Sequence, residues 1–212
     1  MNYYERLIIM NKLRSQVPYK KIDYEIRHLN ADLKKILQND FTYNCAYCND
    51  RDTYAGGFDN YHIEHFAPRS KFAEYEFKFS NLFYSCPYCN RAKSNKWITN
   101  DPLISFNDNK GFVNPCTDEY DNHLARNDYG SIIYKTDLGR YMYVELKLYL
   151  KRHQVNFLLD KIIKQRHILK EMKERSSITK EKKELLEKII NKLNEIFVDT
   201  FTSENYKELE LN

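Results

Sequence analysis

Four of the five cysteines fall into two pairs of identical spacing, Cys45-x-x-Cys48 and Cys86-x-x-Cys89. Zinc takes thiolates in tetrahedral geometry, and a two-residue gap lets both sulfurs of a pair reach one ion. Two such pairs predict a closed four-cysteine zinc site with no open coordination position, which makes its role structural. The binding free energy of such a site is folding free energy, on the order of 10 kcal/mol or more. Cys116 lies outside the pattern and reads as an ordinary reduced cysteine. Between the pairs runs Tyr61-His62-Ile63-Glu64-His65-Phe66-Ala67-Pro68, with a carboxylate and an imidazole side by side. Phosphodiester hydrolysis needs an activated water and compensation of charge on the phosphate. One divalent ion and one histidine base supply both. Glu64 offers the ion a hard oxygen ligand and His65 is the expected general base. Asn90, directly after Cys89, is the expected second ligand, held in place by the zinc site.

Three zones must position these residues. Residues 1–40 read as a helical segment, because Ile22, Ile26, Leu29, Leu33 and Ile36/Leu37 recur at helical spacing. Pro18 stands just before the expected helix start, and His28 falls beside the stripe as a structural residue. Residues 41–100 carry the motif. Asn49 to Asp52 and Gly56-Gly57 mark a loop, a strand is expected to end near Glu64, and Asn90 to Lys93 start a short helix. Residues 101–212 form an extension of loop and strand, then helices. The strand falls at Gly130 to Tyr134, and helix begins near Leu138. Val155, Leu158, Leu159, Ile162, Leu169 and Met172 trace one amphipathic helix; Leu185, Leu186, Ile189, Leu193, Ile196 and Phe197 trace another, capped near Thr179. Ser176-Ser177 is the expected turn between them. The fold class is α+β, a mainly helical chain around a small zinc-stabilised core.

The chain has 212 residues, which suffices for one medium domain with helical extensions. No apolar run approaches the ~20 residues of a membrane span, no signal peptide is read at the N-terminus, and reduced cysteines suit a cytoplasm. The net charge is only +4. Its distribution is uneven, with eleven basic against four acidic residues from Lys151 to Lys183. A basic helix of this kind is either a solvated face or a phosphate-facing one.

Glu64-His65-Phe-Ala-Pro, then Asn81-Leu82, then Cys86-x-x-Cys89-Asn90-x-x-Lys93 resembles the HNH endonuclease family in its zinc-bearing form. The resemblance implies a ββα-metal fold, two strands and a helix around one divalent ion. It makes His65 the base, Asn81 the residue that pins the loop and orients it, and Asn90 the closing ligand. The family often has His where Asn90 stands, and commonly Asp where Glu64 stands. Oxygen ligation by an amide favours Mg2+ or Mn2+. Lys93, one helical turn after Asn90, is expected at a phosphate, as are Arg91, Arg69 and Lys71. His62 reads as a packing or hydrogen-bonding residue. The implied substrate is DNA, with RNA left open. The string from His62 to Lys71, with Gly111-Phe-Val-Asn-Pro115 and the helical tail, is similar to HNH proteins of bacterial anti-phage systems of the Septu and retron-associated types. That likeness implies an ATPase partner in a bacterial cytoplasm. A zinc ribbon that binds nucleic acid or protein without cutting is the alternative; it accounts for the cysteines but not for Glu64, His65, Asn81 and Asn90 together.

Overall fold

The computed structural model describes residues 11–20, 26–174 and 178–209. Its backbone divides into two compact units between His153 and Gln154. The first unit opens with a short strand, β1 (Asn11–Lys12), followed by helix α1 (Ala31–Asp40). Asn30 sets the helix start: its backbone is extended and its side chain accepts from the Leu33 amide at 2.9 Å. The helix expected to begin just after Pro18 is therefore corrected to one beginning at Ala31. Ile26 and Leu29 pack against the core without being helical, so apolar spacing alone overshot the boundary. Residue 22 of the expected stripe lies outside the described residues. Beyond α1 the chain reverses through Thr42 and Tyr43, both left-handed, and enters the first cysteine pair.

Next come α2 (Gly57–Asn60), β2 (His62–His65), β3 (Leu82–Ser85) and α3 (Pro87–Lys93). Gly56 before α2 has φ +84°, and a Cβ there would lie 2.0 Å from Asn60 Nδ2. Strands β2 and β3 pair antiparallel, His62 opposite Ser85 and His65 opposite Leu82. Every residue of β3 is buried. Helix α1 packs against it, and Phe83 sits among Phe41, Tyr47 and Phe66 at ring-centroid distances of 5.7, 6.5 and 5.3 Å. Cys86 caps α3 through its own sulfur, which accepts from the Cys89 amide at 3.3 Å, and Pro87 takes the first helical position. Together β2, β3 and α3 form a ββα unit.

The rest of the first unit holds α4 (Tyr120–His123), β4 (Leu124–Arg126), β5 (Ile132–Tyr134) and α5 (Asp137–Glu145). The three-stranded sheet runs β1-β4-β5, antiparallel throughout. This sheet is bolted to the first cysteine pair. Arg126 Nη2 donates to the Cys48 carbonyl at 3.0 Å, and Tyr120 donates its hydroxyl to the Tyr47 carbonyl at 2.8 Å. Helix α6 (Arg152–Glu174) starts at the same place, where His153 Nδ1 meets Asp50 Oδ2 at 2.8 Å. Asp50 is buried and also faces Arg126 at 3.6 Å and Arg152 at 3.4 Å. Those three groups hold its carboxyl below the usual range against the opposing cost of burial.

The second unit comprises the remainder of α6 and α7 (Lys180–Leu209). Thr179 caps α7, its hydroxyl accepting from the Lys182 amide at 3.4 Å. Lys173 on α6 forms an ion pair with Glu187 on α7. Part of the basic tract is neutralised within α6, where Lys164 pairs with Asp160. The expected turn at residues 176 and 177 lies outside the described residues. The architecture is α+β, with seven helices and two small antiparallel sheets among the described residues.

Replacing Asp50 with Ala leaves two guanidinium groups and an imidazole without their shared acceptor. Breaking a buried ion cluster from one side costs about 3–5 kcal/mol. Asp50→Ala is expected to lower the thermal midpoint accordingly in calorimetry; an unchanged midpoint would mean that the cluster contributes no stability.

Candidate metal centre and active-site cleft

The first cysteine turn is shaped by its backbone. Asn49, left-handed at φ 60°, donates its amide to the Cys45 carbonyl at 3.0 Å, and the Cys45 amide donates to the Asp50 carbonyl at 2.9 Å. The second pair lies at the start of α3, where the sulfur cap fixes Cys86 relative to Cys89. The two turns face one another. All four sulfurs are buried and lie within 4.8 Å of one another, with Cys48 and Cys86 at 3.9 Å. A tetrahedron of zinc–sulfur bonds near 2.3 Å has edges of about 3.8 Å. Cys45, Cys48, Cys86 and Cys89 are thus placed to bind zinc. Cys116 is a free thiol away from this cluster, and burial pushes it up to about 11.

Beside this centre opens a cleft of about 480 Å³, lined by Glu64, His65, Arg69, Asn90 and Arg91 among others. Five of the expected site residues therefore meet in one place, and the ββα unit explains how. Strand β2 carries Glu64 and His65 as consecutive residues at its end, and both line the cleft. Helix α3 brings Asn90, half-exposed, alongside. Among the described residues, the Asn90 side-chain amide has no hydrogen-bond partner and is open to a ligand.

His65 is half-buried, and its Nε2 lies 3.0 Å from the Glu76 carbonyl. A carbonyl only accepts, so Nε2 carries the proton and Nδ1 keeps its lone pair. Burial lowers the pKa of the ring below the ordinary histidine value, with the Glu76 carbonyl pulling the other way. The neutral ring with a basic Nδ1 is the form a general base requires. The loop after β2 is pinned by Asn81. Its Oδ1 accepts from the Ala67 amide at 2.7 Å, and its Nδ2 donates to the carbonyls of Ala67 and Tyr75 at 3.0 and 3.1 Å. Glu76, one residue beyond Tyr75, lies in that same loop.

Glu64 is 5% exposed. Its Oε1 takes both the Lys93 ammonium at 2.9 Å and the Tyr47 hydroxyl at 3.3 Å. Burial raises its carboxyl, while Lys93 and Tyr47 act in the opposite direction. Lys93 was expected at a phosphate; the structure places it fully buried, turned inward onto Glu64 and donating to the His65 carbonyl at 3.1 Å. Apolar neighbours on that face of α3, with Phe66 and Phe112 rings near the ammonium, exclude it from solvent. Lys71 lies outside the cleft lining and donates to the Trp97 carbonyl at 3.3 Å. Arg69 is exposed and pairs with Glu76 at 3.0 Å, a surface contact of little energetic weight. Arg91 is exposed at the cleft, and His62 is exposed on β2. Burial, Lys34 and Arg91 lower the pKa of His62.

Sequence reasoning passed over Tyr47, Asp50, Arg126 and His153. Tyr47 carried a usable signal, since it stands inside a cysteine pair, where side chains are held close to the metal turn. His153 carried none, lying 103 residues from its partner Asp50.

Residues 45–96 match the family model described as HNH endonuclease. No curated protein and no solved structure matches the chain. The matched stretch contains all four cysteines, both strands of the cleft and α3.

Cys86→Ser removes one zinc ligand and the sulfur cap of α3 together. Because metal binding of about 10 kcal/mol rivals the whole stability of a domain, this variant should lose its zinc equivalent by atomic absorption and the near-UV dichroism of the aromatic core. A soluble variant with full dichroism would show that the cysteines are not what holds this region.

Proposed function

We propose that the chain is a metal-dependent endonuclease that hydrolyses phosphodiester bonds of DNA, with His65 as general base. One observation carries the reading: His65, tautomerically fixed by the Glu76 carbonyl, shares a cleft with two oxygen donors, Glu64 and Asn90. Few arrangements place a neutral imidazole, a carboxylate and an unpartnered amide around one open space, and the match to the HNH endonuclease model covers all three.

A carboxylate and an amide are hard ligands suited to Mg2+ or Mn2+, which retain several waters and need few protein donors. When bound, such an ion supplies charge compensation at the phosphate and leaving oxygen. The protein's own residues do the rest. His65 Nδ1 accepts the proton of the attacking water. The Glu76 carbonyl keeps the opposite nitrogen protonated and the ring oriented. Asn81 holds the loop on which that carbonyl stands. Arg69 and Arg91, exposed at the cleft, meet the nucleic-acid backbone, whereas Lys93 acts within the protein. In this reading residues 41–100 are the nuclease core, flanked by an N-terminal segment and a C-terminal helical extension. The setting we propose is bacterial anti-phage defence beside an ATPase partner, supported by the likeness of the string from His62 to Lys71.

The ion pair of Glu64 with Lys93 also suits a zinc module that binds without cutting, since such a module needs no free carboxylate. Plasmid cleavage separates the two. Cutting should require added Mg2+ or Mn2+, stop with EDTA, and fall about 10²–10⁴-fold in His65→Ala, the usual contribution of a positioned base. Full activity in His65→Ala removes His65 as the base, and a folded, zinc-loaded protein that binds DNA but never cuts it favours the binding module.

A further inference from the structure

We propose that Tyr47 and Lys93 are positioning residues that clamp Glu64 by one carboxylate oxygen and present the other to a divalent ion in the cleft. The inference rests on the nuclease reading above and assigns how its carboxylate ligand is held. Both clamping groups converge on Oε1, the Lys93 ammonium at 2.9 Å and the Tyr47 hydroxyl at 3.3 Å. Among the described residues no hydrogen bond reaches Oε2, and Glu64 lines the cleft although its side chain is almost entirely buried. A carboxylate fixed in this way ligates through a single oxygen. That matches the small octahedral ions, which bind one or two carboxylates and keep their waters.

Lys93 has a second task. The same ammonium donates to the His65 carbonyl at 3.1 Å, so one buried charge fixes both the carboxylate and the main chain of the adjacent base. The sources of the clamp are equally specific. Tyr47 lies inside the first cysteine pair, and Lys93 follows Cys89 by one turn of α3. Closing the four thiolates on zinc therefore brings the hydroxyl and the ammonium together at one oxygen of Glu64. The zinc centre positions the second metal's ligand through its own loop and its own helix.

The test uses the zinc-loaded 212-residue chain, with Mn2+ binding followed by electron paramagnetic resonance beside plasmid cleavage. The unmodified protein should bind one Mn2+ that is lost in Glu64→Ala. Tyr47→Phe keeps the ring and removes only the hydroxyl; it should weaken Mn2+ binding severalfold, and raised Mn2+ should restore most of the cleavage. Lys93→Met should weaken binding by about tenfold or more, within the range for outer partners of metal ligands. Both variants should retain one zinc, and if Lys93→Met loses it, Tyr47→Phe alone decides. Unchanged or tighter Mn2+ binding in the zinc-loaded variants, with the unmodified protein still binding and cutting, overturns the clamp and leaves the nuclease reading intact. An unmodified protein that neither binds Mn2+ nor cuts defeats the nuclease reading and the clamp with it.

Discussion

Four thiols packed within 4.8 Å of one another and shut away from water set the terms for everything around them. Two like charges 4 Å apart repel by about 4 kcal/mol at the effective dielectric of a protein. Four thiolates at such distances are tolerable only with a cation at their centre, and the four-sulfur geometry is the one zinc takes. The turn at Cys45 and the start of α3 are separated by some forty residues, and they meet face to face where one ion could be shared. With them come β3, the cleft and Asn90. The aromatic cluster around Phe83 adds apolar area beneath the centre. It does not dictate which side chains face the cleft.

Charge around this centre is arranged in layers. A zinc ion with four thiolates carries a net negative charge, and Arg126 and Arg152 stand nearby, both of them also facing Asp50. On the opposite side Lys93 compensates Glu64. Such buried pairs are weak sources of stability, because desolvation offsets most of the attraction. Their value here lies in direction, since each fixes a carboxylate that would otherwise rotate.

Spacing made much of the site readable. Paired cysteines, the Glu64-His65 doublet and the offsets to Asn81 and Asn90 are local patterns, and local patterns survive in a linear string. The strand at His62–His65 followed from the same signals, but the helix expected to start at Asn90 instead begins at Pro87, behind the Cys86 sulfur cap, and ends at Lys93. The inward turn of Lys93 was hidden because a lysine one turn beyond a ligand looks the same whether its helix face is wet or dry. That face is dry because Phe66 and Phe112 cover it, and Phe112 comes from nineteen residues downstream. Asp50 was hidden for a related reason. Among Asn49, Arg51 and Asp52 it resembles turn punctuation, and its three partners lie 76 to 103 residues away. The N-terminal boundary failed differently: Ile26 and Leu29 kept the period of a helix while packing from irregular chain.

The contacts that reach the first cysteine turn from outside bear on how this fold is partitioned. Tyr120 satisfies the Tyr47 carbonyl, Arg126 satisfies the Cys48 carbonyl, and His153 meets Asp50, all from beyond residue 96. Excising the matched stretch as a fragment would strand two buried carbonyls and a buried carboxylate at its surface. The stretch that carries the chemistry is therefore not a transplantable module; its autonomy ends where the hydrogen bonds of its own backbone must be completed by the downstream sheet.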